Sequence, residues 1–99
     1  MLRPEMGVPT VLRLYVVGGT QASERALQSV QRLHSALPGD AEFEVVDLRE
    51  RPEVAERERI VATPLLVRLS PEPVRRIVGD LSDVDRVRWS LGLPDEDGA

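Results

Sequence analysis

Apolar residues along this chain come in short runs whose spacing alternates between two residues and three to four. From Val11 to Val17, Leu12, Leu14 and Val16 share one face; Val11, Tyr15 and Val17 share the other, interrupted by Arg13. A strand apolar on both faces is covered on both sides, as in a parallel or mixed α/β sheet. Gly18-Gly19-Thr20 then turns the chain into a helix expected to run to about Leu37, with Thr20 as N-cap and Glu24 near the positive end of the dipole. Ala26, Leu27, Val30, Leu33, His34 and Leu37 recur at helical spacing along its inner face. Pro38-Gly39-Asp40 ends it, and Phe43 to Leu48 reads as the next strand. Strand, helix and strand with short links make a right-handed βαβ unit with parallel strands. The charged stretch Arg49 to Arg59 holds a short exposed helix, with Pro52 in its first turn and a favourable Glu53–Arg57 pair. Leu65 to Leu69 is again strand-like.

Residues 70–93 support two incompatible readings. In the first, Val74 to Val78 is a strand in a hairpin with 65–69, and Ser82 caps a helix from Asp83 to about Leu91. Val84, Val87 and Leu91 then share a face, and Asp83 and Asp85 occupy the first turn. In the second, Ser70 caps a helix that begins with Pro71 and stops at Gly79. Residues 86–91 are then a strand, because Val87, Trp89 and Leu91 alternate with Arg86, Arg88 and Ser90. Pro64, Pro71 and Pro73 sit beside these segments; proline withholds a ladder donor, and X–Pro bonds are the ones for which the cis form is cheap. Gly79-Asp80 is the hinge between the two halves of the region.

The first reading orders the chain as strand, helix, strand, short helix, hairpin, helix. That is the thioredoxin-like α/β fold, and Thr63-Pro64 entering a strand stands where that fold keeps a cis-proline. Enzymes of this fold place a Cys-x-x-Cys at the first strand-to-helix turn, where the helix dipole lowers a thiol's pKa. The turn here reads Gly18-Gly19-Thr20-Gln21-Ala22-Ser23, and the whole chain has no cysteine. Dithiol exchange, disulfides and Cys-based zinc sites are therefore excluded together. The same turn lacks G-x-G-x-x-G and the P-loop Lys-Ser/Thr, so no nucleotide cofactor is expected. His34, the single histidine, lies beside the buried helical face without the partners of a triad, and Asp80, Asp83 and Asp85 lack the spacing of a calcium loop. No catalytic residue, metal or cofactor is assigned.

Ninety-nine residues, 41% hydrophobic and only 3% aromatic, make one small domain over 11–93 with a Leu/Val/Ile/Ala core. Residues 1–10 read as a flexible lead-in and 94–99 as an acidic disordered tail. A net charge of −4 speaks against nucleic acid as a partner. No run approaches a membrane span and no signal-peptide core is present, so a cytoplasmic protein is expected. Trp89, the sole tryptophan, is read first as core or as a subunit contact, and then as a partner contact.

The strings ATPLLVRLSPEPVRRIVGDLSD and LRLYVVGGTQASERAL resemble the KaiB family of circadian clock proteins, over about Val11 to Leu93. The resemblance implies a non-enzymatic, fold-switching protein that binds the ATPase ring of a KaiC-type kinase and regulates its phosphorylation cycle. It also implies self-association, as a dimer or tetramer, in a free state whose C-terminal half is rearranged. Carried over by position, the partner-binding residues are Arg13, Arg25, Glu58 and Arg59. The fold-switch residues are Pro64, Pro71, Pro73, Gly79, Asp80, Ser82, Trp89 and Ser90. Two alternatives remain: a detached thioredoxin-like sensor domain of a clock histidine kinase, against which the absence of a kinase segment speaks, and a redox-inactive thioredoxin-like adaptor.

Overall fold

The computed structural model describes residues 8–93. Within them lie four strands and three helices: β1 (Val11–Val16), α1 (Gln21–Ser35), β2 (Glu42–Asp47), α2 (Pro52–Arg57), β3 (Leu65–Ser70), β4 (Arg75–Val78) and α3 (Val84–Ser90). Expectations for residues 1–7 and for the acidic tail 94–99 fall outside the described residues. The sheet runs β2-β1-β3-β4, with β2 parallel to β1 and β3 and β4 antiparallel to their neighbours. This is the thioredoxin-like architecture, and residues 70–93 adopt the hairpin and helix of the first reading.

The two faces of β1 do different work. Leu12, Leu14 and Val16 pack with Ala26, Val30 and Leu33 of α1, Leu66 of β3, Val87 of α3 and Leu91 just past its end. Tyr15 turns the other way, onto Leu48, Val54 of α2, Leu65 and Val67. Two helices therefore cover one side of the sheet and α2 covers the other, which is why both faces of β1 and β3 had to be apolar.

Thr20 caps α1 as expected: its hydroxyl oxygen accepts the Ser23 N–H at 3.1 Å. The helix stops earlier than its apolar spacing suggests. After Ser35 the Ala36 and Leu37 N–H groups bond back to Leu33 and His34, a tightened last turn that still buries Leu37. His34 bonds through Nε2 to the Ala41 carbonyl at 2.8 Å and tilts against the Phe43 ring. The single histidine thus ties the end of α1 to the start of β2.

Three side-chain expectations need correction. Glu53 does not pair with Arg57; Arg51 reaches Glu53 at 3.7 Å and Arg57 reaches Glu58 at 3.7 Å. All four are solvent-accessible, where such pairs differ little in energy and the nearest partner wins. Ser82 does not cap α3. Asp83 does, its Oδ1 accepting the Arg86 N–H at 3.1 Å, while the Ser82 N–H donates to Asp80 Oδ1 at 2.9 Å. A carboxylate one residue further on has both the reach to that amide and the charge favoured at a helix N-terminus. Asp83→Ala should therefore cost α3 ~1 kcal/mol, whereas Ser82→Ala should leave its helical shifts unchanged; equal effects in urea melts would contradict the assignment. Trp89, finally, is not core: it is 84% exposed on the outer side of α3.

Candidate functional site

The β1–α1 turn is where a redox centre would sit on this scaffold. Its polar groups are instead spent on themselves. Ser23 Oγ donates to the Val17 carbonyl at 2.7 Å and accepts the Val17 N–H at 3.0 Å, and the Thr20 hydroxyl donates to the same carbonyl. From the end of β2, Asp47 Oδ1 accepts the N–H groups of Gly18 at 3.0 Å and Arg49 at 2.9 Å. Gly18 admits this approach because a Cβ there would collide with the Asp47 carboxylate. The turn is a structural clasp with no free nucleophile, and Asp47 was not among the residues singled out from sequence.

The Gly18 and Arg49 N–H groups hold the Asp47 carboxyl below the usual carboxylate range, helped by the Arg49 guanidinium. A depressed folded-state pKa gives a contribution that is complete above the ordinary aspartate value and lost as pH falls through the folded one. The clasp is thus expected to loosen below about pH 4, seen as shifts of the Gly18 and Arg49 amides. Asp47→Asn, which keeps an acceptor but cannot titrate, should flatten that dependence; identical acid profiles in the two proteins would count against it.

Beside this turn, α1 and the loops facing it enclose a groove of about 490 Å³. Ala22, Arg25 and Ser29 form one wall; Pro64, Gly79, Asp80 and Ser82 form the other. Five of the positions carried over from sequence, Arg25, Pro64, Gly79, Asp80 and Ser82, therefore come together. The Thr63-Pro64 bond is cis, as expected for this fold, and so are Ser70-Pro71 and Glu72-Pro73. Asp80 is held ionised mainly by the hydroxyl and N–H of Ser82, with Arg25 and Arg86 adding favourable charge. The groove thus carries one exposed cation facing one well-stabilised anion, on small and apolar walls. Such a surface can bind a partner by charge and shape; it offers no acid, base and nucleophile in mutual reach.

The remaining candidates lie elsewhere. Arg13 points to the α2 side of the sheet, paired with Glu44 and donating to the Tyr15 hydroxyl at 3.2 Å. Arg13, Glu44 and Glu58 line a smaller cavity of about 260 Å³ on that side. Arg59, just beyond α2, is exposed and adopts φ 56°. Arg13 and Arg25 thus occupy opposite faces of the sheet rather than one site. Pro71 and Pro73 belong to the β3–β4 turn, and Trp89 and Ser90 end α3. Sequence reasoning missed Arg68, which is 5% exposed and bonded to the carbonyls of Pro73 in that turn and of Leu91 at the end of α3. Its signal was a cation at a core-facing position of an otherwise apolar strand. Among the described residues no three His, Asp or Glu side chains converge as metal ligands, and no helix is long and apolar enough to cross a membrane.

Comparison with known proteins agrees with this geometry. In structure, the N-terminal domain of Synechococcus elongatus SasA matches with a TM-score of 0.69 and 26% identity, covering 93% of this chain and 92% of that one. Fasciola hepatica thioredoxin matches with a TM-score of 0.69 at 18% identity, over 85% of this chain and 79% of its own, a likeness of fold alone. In sequence, the circadian clock oscillator protein KaiB of Synechococcus sp. (strain RCC307) is 44% identical over 84 residues, 84% of this chain and 76% of the relative. KaiB of Prochlorococcus marinus (strain MIT 9211) is also 44% identical, over 84% of this chain and 74% of the relative. The KaiB domain model matches residues 13–93. With that match spanning every strand and helix but the first residues of β1, the chain belongs to the KaiB family.

Proposed function

We propose that this protein is a non-enzymatic clock or timer component that works in the cytoplasm, binds the ATPase ring of a KaiC-type kinase, and regulates its phosphorylation cycle. The observation that carries this reading is the groove that gathers Arg25, Pro64, Gly79, Asp80 and Ser82 on a KaiB-family chain. The thioredoxin-like form described above is the ring-binding form. Arg25 is its principal charged contact, and Arg13, Glu58 and Arg59 are a second set on the α2 side. In the free protein, residues 70–93 exchange into the alternative arrangement, and chains self-associate as dimers or tetramers. Trp89 at 84% exposure is the apolar group best hidden by such assembly.

The test is gel filtration of the chain alone and with a KaiC-type ATPase plus nucleotide. A free oligomer and co-elution with the ring support the reading. A monomer that never co-elutes removes it. Likeness to the SasA domain over nearly the whole chain favours a second reading, a thioredoxin-like sensor or adaptor that holds one form throughout. It differs by remaining monomeric when free while still binding the ring.

A further inference from the structure

Position 68 breaks the rule that builds β3. Leu66 and Arg68 have the same parity and so share a face, the one covered by α1 and α3. An apolar residue is called for there, and a guanidinium occupies the place, 5% exposed. A buried cation is costly unless its hydrogens are satisfied. Nη1 of Arg68 donates to the Leu91 carbonyl and Nη2 to the Pro73 carbonyl, both at 2.7 Å, while Nε has no partner. Both acceptors are backbone carbonyls, and they come from the two segments whose sequence supports either helix or strand.

The ends of those segments are shaped to reach it. Leu91 carries one of the orphan carbonyls at the C-terminus of α3, where the dipole favours a cation. Gly92 follows at φ 64°, and a Cβ there would lie 3.1 Å from Arg68 Nη1 and 3.2 Å from Arg75 Nη1. The chain therefore leaves α3 through a residue small enough to lie against two guanidinium groups. In the alternative arrangement, with a helix from residue 71, the Pro73 carbonyl would accept the Ile77 N–H instead. Residues 86–91 would leave their helix, and with it the present position of the Leu91 carbonyl.

We propose that Arg68 is a latch: a single guanidinium ties the β3–β4 turn and the end of α3 to the central sheet, so that the two segments dock and release together. The inference rests on the exchange of residues 70–93 proposed above and names the side chain that selects between the two arrangements. Its forked donors span both carbonyls, which the single nitrogen of lysine cannot do with the same geometry.

The test is amide hydrogen exchange on the full chain in the described form, for wild type, Arg68→Met and Arg68→Lys. A KaiC-type ring with nucleotide holds that form; where the free chain shows it alone, no ring is added. Two hydrogen bonds from a charged donor are lost in Arg68→Met, so β4 and α3 amides should exchange together, about 10–100-fold faster. Amides of β1, α1 and β2 should keep their rates. Arg68→Lys should also speed β4 or α3, since charge alone does not make the fork. Acceleration of only one segment in Arg68→Met, equal acceleration throughout the sheet, or none would overturn the latch. Should Arg68→Met fail to fold, Arg68→Lys decides: selective release of β4 or α3 supports the latch, and wild-type rates overturn it. Coupled release in Arg68→Met beside a wild type that shows one form only would keep the latch and remove the exchange reading.

Discussion

Arg25→Glu is expected to weaken association with a KaiC-type ring by about 100-fold or more, because like charges brought together at an interface cost several kcal/mol. Arg25 is exposed on α1, on the wall of the groove that faces Asp80. Reversal sets a second carboxylate opposite one already stabilised by Ser82, so the groove passes from mixed charge to wholly acidic. Arg25→Ala should act more gently, slowing association and flattening its salt dependence. Neither change should disturb the fold, since Arg25 is exposed and its attraction to Asp80 acts across solvent, where a surface charge contributes little to stability. Titration of the ring at two ionic strengths, with melting curves in parallel, separates the effects. Unchanged affinity and unchanged salt slope for Arg25→Glu would move the contact surface away from this groove.

The second large effect is on stability. Leu66→Ala should destabilise the described form by ~2–5 kcal/mol, the range for emptying a buried leucine site. Leu66 is fully buried on β3, opposite Leu14 of β1 and Ile77 of β4, and faces the cluster shared with α1 and α3. A domain of this size holds only ~5–15 kcal/mol in all, so a large part of it would go. Val45→Ala on the outer strand, where the side chain is 44% exposed, should cost far less. Urea melts that place the two variants within experimental error of each other would contradict this account of the core.

The N-terminal half was legible because several local signals agree there. Leu12, Leu14 and Val16 alternate, Thr20 caps, and Ala26, Val30 and Leu33 repeat at helical spacing, each consistent with the packing observed. The cis Thr63-Pro64 bond was legible too, from a proline entering a strand. The cap of α3 was not, since Ser82 and Asp83 are adjacent candidates and only the position of the Arg86 amide decides between them. Trp89 was legible only as core or contact, because on a seven-residue helix a rotation of one position moves a side chain from core to solvent; its 84% exposure leaves the contact readings. Arg68 escaped because alternation marks which residues face inward, not which cation will find carbonyls waiting there. The groove joins residues 22–29 to residues 64 and 79–82, so its assembly depends on the packing of α1 beside the loops that flank β3 and β4.

The central claim is that one chain holds two arrangements of residues 70–93 and that the ring selects the thioredoxin-like one. Two such forms can coexist only when their free energies differ by a few kcal/mol. The most direct measurement is NMR of backbone amides 71–91 in the free protein and in complex with a KaiC-type ring and nucleotide. The account predicts helical shifts at 71–78 and strand shifts at 86–91 in the free state. Bound, the same residues should show strand shifts at 75–78 and helical shifts at 84–90. One set of signals, strand at 75–78 and helix at 84–90 both free and bound, would contradict it.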